Sequence, residues 1–216
     1  MRITWFGHAA FLIESGGRRI VMDPYSSTCG YEPIDVAADI VTLSHDNEKY
    51  HSCLGELRGA PTVVRGLELP PEGQTLGDLH VTALEVYEDD AGTGPNAMVR
   101  LEIEGLAIGH LGDLGHALDA RQRDFLRGCH ILLALAGDAP TIAVADLRAV
   151  MDDIRPAITI PMHYKVPKLD LAIQPVEPFL ALCPADEVRH HDSPTIEVSR
   201  DTLPASPTVL VLQHAR

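Results

Sequence analysis

The chain has 216 residues, 45% of them hydrophobic, and its 31 acidic and 17 basic residues give a formal net charge of −14. This length supports a full hydrophobic core in one domain. Nucleic-acid binding relies on Lys and Arg side chains that contact phosphates, so the acidic balance argues against a nucleic-acid partner. No apolar run approaches the roughly 18 residues of a membrane span. The N-terminus also lacks the pattern of a signal peptide, so we expect a cytoplasmic protein without a membrane partner.

Short segments rich in β-branched and apolar residues predict strands throughout the first half of the chain. Gly16 and Gly17 mark a turn between two of them, and Glu104 with Gly105 marks another. The four cysteines are isolated and form no CxxC pair, so we expect free thiols. The predicted strands cover residues 2–6, 9–14, 19–22, 39–44, 61–65, 80–87, 97–102 and 106–110.

Helical periodicity enters in the second half of the chain. Residues 144–154 carry apolar side chains at helical spacing and stop before Pro156, which predicts an amphipathic helix. Further helices are predicted at 119–127 and 175–183, and strands at 131–136, 157–161, 188–191, 195–198 and 209–213. The chain thus begins with strands, alternates strands and helices in its second half, and ends with strands. This order predicts a layered α/β protein, with residues 1–216 as one domain.

Polar side chains collect where the predicted strands end. Taken singly, each has an ordinary interpretation: a lone histidine is usually a hydrogen-bonded structural residue, and an acidic loop is usually solvated. Imidazoles and carboxylates brought together are the ligands that Zn²⁺, Mn²⁺ or Fe²⁺ would recruit. The polar segments are His8, Asp23, Ser44–Asn47, Glu88–Asp90, His110–His116 and His163–Tyr164.

These segments resemble the metallo-β-lactamase fold superfamily over essentially the whole chain, in its compact branch similar to ascorbate-6-phosphate lactonases and small metal-dependent hydrolases. The most specific matches are the runs 110–116 and 160–164; Trp5–Phe11, Asp23-Pro24, 39–45 and Asn96 also match. The resemblance implies a four-layer αββα sandwich with metals in a cleft at the edge of its two sheets. It also implies hydrolysis of a small ester, lactone or phosphorylated metabolite by a metal-activated water.

The metal motif of that superfamily, His-x-His-x-Asp-His, is only partly present. Laid on the chain from His45, it meets Asn47, Lys49 and Tyr50 where it requires histidine, aspartate and histidine. Glu88 stands where the next histidine ligand belongs, and Asn47 offers only a neutral carbonyl oxygen. The resemblance implies the metal ligands His45, Glu88, Asp113 and His163, with Asp113, Asp46 and His116 as candidate catalytic residues.

The functional hypotheses differ in the role that they give to Lys49. Its ammonium would repel a second metal ion in the usual place, so the first hypothesis is a hydrolase with an altered site that holds one divalent ion (Zn²⁺, Mn²⁺ or Fe²⁺) or an unusual pair and acts on a small-molecule substrate. The second is a metal-free small-molecule binding or regulatory module in which Lys49 pairs with Asp113, Glu88 or Asp46. A third interpretation treats the histidines as inherited scaffold without a role. The sequence leaves a homo-oligomer open.

His51 lies one residue beyond the missing histidine of the motif. We expect it to face solvent. The alternative is a one-residue bulge in the loop, which would bring His51 together with Asp113 and His163 as a metal site.

Overall fold

The computed structural model describes residues 1–216, which form fourteen strands and three α-helices. All predicted strands are present, and β6 was missed because it has three residues without an apolar pattern. In chain order the elements are β1 (Arg2–Gly7), β2 (Ala10–Ser15), β3 (Arg18–Met22), β4 (Ile40–Leu43), β5 (Thr62–Arg65), β6 (Gln74–Leu76), β7 (Leu79–Tyr87), β8 (Pro95–Ile103), β9 (Leu106–His110), α1 (Ala120–Leu126), β10 (Ile131–Leu135), α2 (Val144–Ile154), β11 (Ile158–Met162), α3 (Glu177–Leu180), β12 (Val188–His191), β13 (Thr195–Glu197) and β14 (Thr208–Leu212).

The strands pair into two sheets. The first has the order β13-β1-β2-β3-β4-β5, and the second has the order β12-β14-β11-β10-β9-β8-β7-β6. One cluster of 61 buried residues draws on both sheets. The two-sheet α/β architecture that the resemblance implied is confirmed.

The helices pack on one another beside the second sheet. In α2 the apolar stripe Leu147, Val150, Met151 and Ile154 is buried, as its periodicity predicts. This helix contacts β10, α1 and α3. The third helix covers only part of the predicted segment 175–183. None of the helices has the length and apolar character needed to cross a bilayer.

Six polar strand ends meet at one edge of the two sheets. In the first sheet β3 and β4 are parallel, and β1 runs the same way because both β1 and β3 are antiparallel to β2. In the second sheet β9, β10 and β11 are parallel, and β7 shares their direction through the antiparallel β8. Carboxyl ends of strands with a common direction lie at one edge, which is where α/β proteins build their sites.

Candidate metal centre

Four side chains from four strand ends converge at this edge: His8, His51, Asp113 and His163. Each offers one ligand atom, and these atoms all lie within 4.8 Å of one another. The Nε2 atom of His51 is 3.0 Å from Asp113 Oδ2. On the other side of the carboxylate, His163 Nε2 is 3.0 Å from Asp113 Oδ1. All three imidazoles are buried, and Asp113, with 15% of its side chain exposed, is the most accessible member.

The expectation that His51 faces solvent is wrong, because its side chain is fully buried. The loop after β4 holds one residue more than the motif of the superfamily. A wide turn takes up this residue: the amides of Tyr50, His51 and Ser52 all donate to the Asn47 carbonyl, the last of them as an i to i+5 bond of 3.0 Å. Such π-type turns absorb an inserted residue and are frequent at functional sites. The bulged alternative is therefore what the structure contains.

Asp23 contacts the His51 ring at Nδ1, the nitrogen that does not face Asp113. Its carboxylate accepts hydrogen bonds from the backbone N–H and the hydroxyl of Ser44, and its Oδ2 lies 3.0 Å from His51 Nδ1. Burial raises the pKa of Asp23, but the nearby imidazoles of His110 and His51 outweigh burial and lower it. A carboxylate that hydrogen-bonds to one ring nitrogen of a histidine orients the ring and makes the other nitrogen a better metal ligand.

The loop after β9 presents Asp113 through three supporting contacts. The amide of Asp113 donates to Asn96 Oδ1 at 3.0 Å, and Asn96 Nδ2 donates to the Leu111 carbonyl. The amide of Gly112 donates to His110 Nδ1 at 2.9 Å. His110 and Asn96 therefore hold the loop in place and are not themselves among the four clustered residues. Burial raises the pKa of Asp113, but His51 and His163 outweigh it and hold the pKa well below its usual range.

His51 carries the opposite shift. Burial lowers its pKa, but the charges of Asp113 and Asp23 outweigh burial and raise it to about 10. Without a metal ion, His51 is thus a cation between two carboxylates. His51 thus supplies the positive charge that the metal-free hypothesis assigned to Lys49.

The predicted ion pair of Lys49 with Asp113, Glu88 or Asp46 is absent, so that part of the second hypothesis is wrong. The ammonium of Lys49 lies 4.9 Å from the centroid of the Tyr50 ring, and Asp46 pairs with Arg65 instead. The wide turn after Asn47 explains the difference, since it turns Lys49 away while bringing His51 inward.

Lys49→Met is therefore expected to leave the melting temperature within about 2 °C of the unchanged protein, as for a surface substitution outside any network. Methionine keeps most of the stem that packs near Tyr50 and removes only the charge. Thermal unfolding followed by circular dichroism measures this. A drop of about 8 °C or more would mean that Lys49 neutralises buried carboxylates after all.

His45 and Glu88 lie together but outside the four-residue cluster. His45 Nε2 is 3.7 Å from Glu88 Oε1 and 3.9 Å from Asp113 Oδ2. The Nδ1 atom of His45 is 2.9 Å from the Ser44 hydroxyl, whereas its buried Nε2 has no hydrogen-bond partner. Glu88 is 42% exposed, and burial together with Asp113 raises its pKa. The two side chains line the approach to Asp113, and their role as ligands stays a prediction.

The other two catalytic candidates are not among the four clustered residues. Asp46 is 78% exposed and bound to Arg65. Nε2 of His116 accepts a hydrogen bond from the Tyr87 amide at 3.3 Å. Their catalytic roles stay predictions that this geometry does not favour.

His8 is the member of the cluster that the sequence did not predict as a ligand. A lone histidine after a strand carries no signal by itself. The signal available in the sequence was the preceding Gly7, which in the structure has a φ of +133° that other residues rarely adopt. His8, Asp23 and His163 themselves have φ of 48°, 43° and 54°. Left-handed backbone outside glycine is costly and clusters at functional sites.

The donor set fits a divalent metal ion. Both ring nitrogens of His8 are buried without any hydrogen-bond partner. Nε2 of His51 and Oδ1 of Asp113 lie 3.0 Å from an atom of the opposite group, but neither contact has hydrogen-bond geometry. Buried polar atoms are rarely left without a hydrogen bond, so their concentration at one centre indicates a missing partner. Metal bonds of about 2.0–2.2 Å place tetrahedral ligands about 3.3–3.6 Å apart, which is near the observed spacing.

Comparisons with known proteins agree with the fold. A model of the β-lactamase superfamily domain matches residues 2–163. A UPF0173 protein of Pyrococcus abyssi is 30% identical, with 76% of this chain and 83% of that protein covered. A UPF0173 metal-dependent hydrolase of Archaeoglobus fulgidus is 26% identical, with the same coverage.

Among solved structures, a candidate zinc-dependent hydrolase from Thermotoga maritima matches with a TM-score of 0.79 and 31% identity, over 98% of this chain and 97% of that chain. The narrower resemblance to ascorbate-6-phosphate lactonases stays a prediction. The family model, the relatives and the shared fold together establish that this chain belongs to the metallo-β-lactamase superfamily.

Proposed function

We propose that the chain is a metal-dependent hydrolase with a single-ion site built on His51, Asp113 and His163. The observation that carries this proposal is the convergence of two buried imidazoles on the two oxygens of one carboxylate, each at 3.0 Å. The names of the relatives, a metal-dependent hydrolase and a candidate zinc-dependent hydrolase, support the same class.

Substrate would approach from the side of Asp113, where His45 and Glu88 stand. This is the accessible side, since Glu88 is 42% exposed and the imidazoles of the centre are buried. When bound, the ion would supply Lewis-acid chemistry, polarising the bond to be cleaved and making water acidic enough to react near neutral pH. His45 Nε2, which has no partner, can accept a hydrogen bond from a water or a substrate hydroxyl beside Asp113.

The substrate class that we propose is a small ester, a lactone or a phosphorylated metabolite. No Lys or Arg side chain lies within 4.0 Å of Asp113 or Glu88, so a phosphate group of a substrate would depend on the charge of the bound ion.

Asp113→Asn is expected to reduce the metal content from about one ion per chain to under about 0.1 and to lower ester or lactone hydrolysis at least about 100-fold, because the amide removes the only carboxylate of the centre. Elemental analysis of the purified protein and hydrolysis of a lactone panel measure both effects. Asp46→Asn is the matched control and should keep the metal. A wild-type protein that contains no transition metal and takes up none on titration would refute the proposal.

A metal-free binding module is the second candidate. The observation that favours it is His51 itself, which lies 3.0 Å from a carboxylate oxygen of Asp23 and of Asp113 and can balance their charge as a cation. In that case the wild-type protein would stay metal-free in the same titration.

A further inference from the structure

We infer that His8 is a fourth protein ligand of the ion, so that the centre holds its metal with three imidazoles and one carboxylate. This inference rests on the proposed function and adds a residue that the motif of the loop after β4 does not contain. The observations that carry it are the burial of His8, the lack of partners for its ring, and the way in which its backbone is held.

The His8 ring is buried with nothing to bind. Its side chain is fully inaccessible, and neither Nδ1 nor Nε2 has a hydrogen-bond partner. An unpaired buried polar atom destabilises the folded state, and this ring carries two. One of these nitrogens is also among the four atoms that lie within 4.8 Å of one another.

A structural histidine in the same region looks different. His110 is equally buried, but its Nε2 is 2.9 Å from the Ala9 carbonyl and its Nδ1 accepts from the Gly112 amide at 2.9 Å. Both of its nitrogens are therefore used. Burial alone does not explain the unpaired ring of His8.

The backbone of His8, by contrast, is fully held. Its amide donates to the Tyr31 hydroxyl at 3.2 Å. Its carbonyl accepts from the His163 amide and from the Trp5 indole, both at 3.0 Å. These bonds keep a left-handed residue in place and tie it directly to His163. The fold thus fixes the position of the ring while leaving its nitrogens free, as expected of a preorganised ligand.

The ring of His8 faces the other ligands. Its centroid is 4.1 Å from that of His163 and 5.1 Å from that of His51. Tyr50 covers it at 5.2 Å. The loop after β4 has lysine at position 49, where the superfamily motif has aspartate, and Lys49 lies outside on Tyr50. His8 supplies from β1 a donor that this loop no longer provides.

The test is a Co²⁺ titration of metal-free wild type, His8→Leu and His190→Gln, an exposed histidine of β12, followed by the visible absorption of the bound ion. We expect His8→Leu to weaken Co²⁺ binding at least about tenfold and to change the absorption bands, while His190→Gln stays within about threefold of wild type. A His8→Leu protein with the affinity and spectrum of wild type overturns the inference and leaves the proposed function standing. A wild-type protein that binds no Co²⁺ overturns both.

Stability of the metal-free protein gives a second readout. An imidazole without partners destabilises the metal-free protein, so His8→Asn, which keeps a residue that tolerates left-handed backbone, should melt at the wild-type temperature or above it. His110→Leu, which removes a hydrogen-bonded imidazole, should melt lower. A similar loss in both variants would make His8 structural and overturn the inference. If His8→Leu does not fold, the Co²⁺ affinity of His8→Asn decides, since asparagine tolerates left-handed backbone.

Discussion

Asp23→Asn is expected to lower the free energy of unfolding by about 3–5 kcal/mol, the cost of breaking a buried charged pair by removing one partner. Asp23 is 2% exposed, and its Oδ2 receives both the Ser44 hydroxyl and the His51 ring. An amide nitrogen at that position would face two donors, and an amide oxygen would carry no charge to match His51. Chemical denaturation of the metal-free protein measures the change.

The same substitution is expected to weaken metal binding by about 10–100-fold, because His51 loses the carboxylate that orients it. Asp46→Asn is the control for loss of a carboxylate in the same region. Asp46 is 78% exposed in its pair with Arg65, so its replacement should cost about 0–1 kcal/mol. An Asp23→Asn protein as stable as Asp46→Asn would contradict the role assigned to Asp23.

Gly112→Ala is expected to lower the free energy of unfolding by roughly 3–5 kcal/mol, combining left-handed strain with overpacking. Gly112 has a φ of +59°, and a Cβ there would lie 2.2 Å from Asn96 Oδ1 and 2.7 Å from Ser44 Cβ. Relief would require Asn96 to move, and Asn96 holds the amide of Asp113. We therefore expect weaker metal binding as well as lower stability.

Gly105→Ala separates the two components of that effect. Gly105 has a φ of +73° in the turn between β8 and β9, and a methyl group added to its Cα would meet no atom within 4 Å. Its replacement should cost only the left-handed strain, about 1–2 kcal/mol, and should leave metal binding unchanged. Equal losses in the two variants would show that the contact between residue 112 and Asn96 is unimportant.

Much of the fold could be predicted from local patterns. The amphipathic stripe of α2 and the apolar strand segments are short-range signals, and each element formed where its pattern predicted. The exceptions are β6, which has three residues on a sheet edge, and α3, which covers only Glu177–Leu180 of the predicted segment 175–183. Such marginal elements depend on their neighbours more than on their own sequence.

Less of the candidate site could be predicted, because the spacing of residues along the chain does not give their distances in space. Asp113 and His163 occupy the centre, as the resemblance implied. The positions assigned to His51 and Lys49 were wrong, since the wide turn in which three amides donate to the Asn47 carbonyl brings His51 inward.

The sequence by itself indicated the strand ends and the superfamily and named Asp113 and His163 as candidate ligands, because apolar periodicity and ordered motifs lie in consecutive residues. Only the tertiary structure decided which imidazoles meet Asp113. His8 comes from the first strand and His51 from a bulged turn, and they reach the same carboxylate because parallel strand directions bring distant strand ends to one edge. Whether a histidine is a free donor or a paired structural group depends on its partners in space, as the contrast between His8 and His110 makes plain.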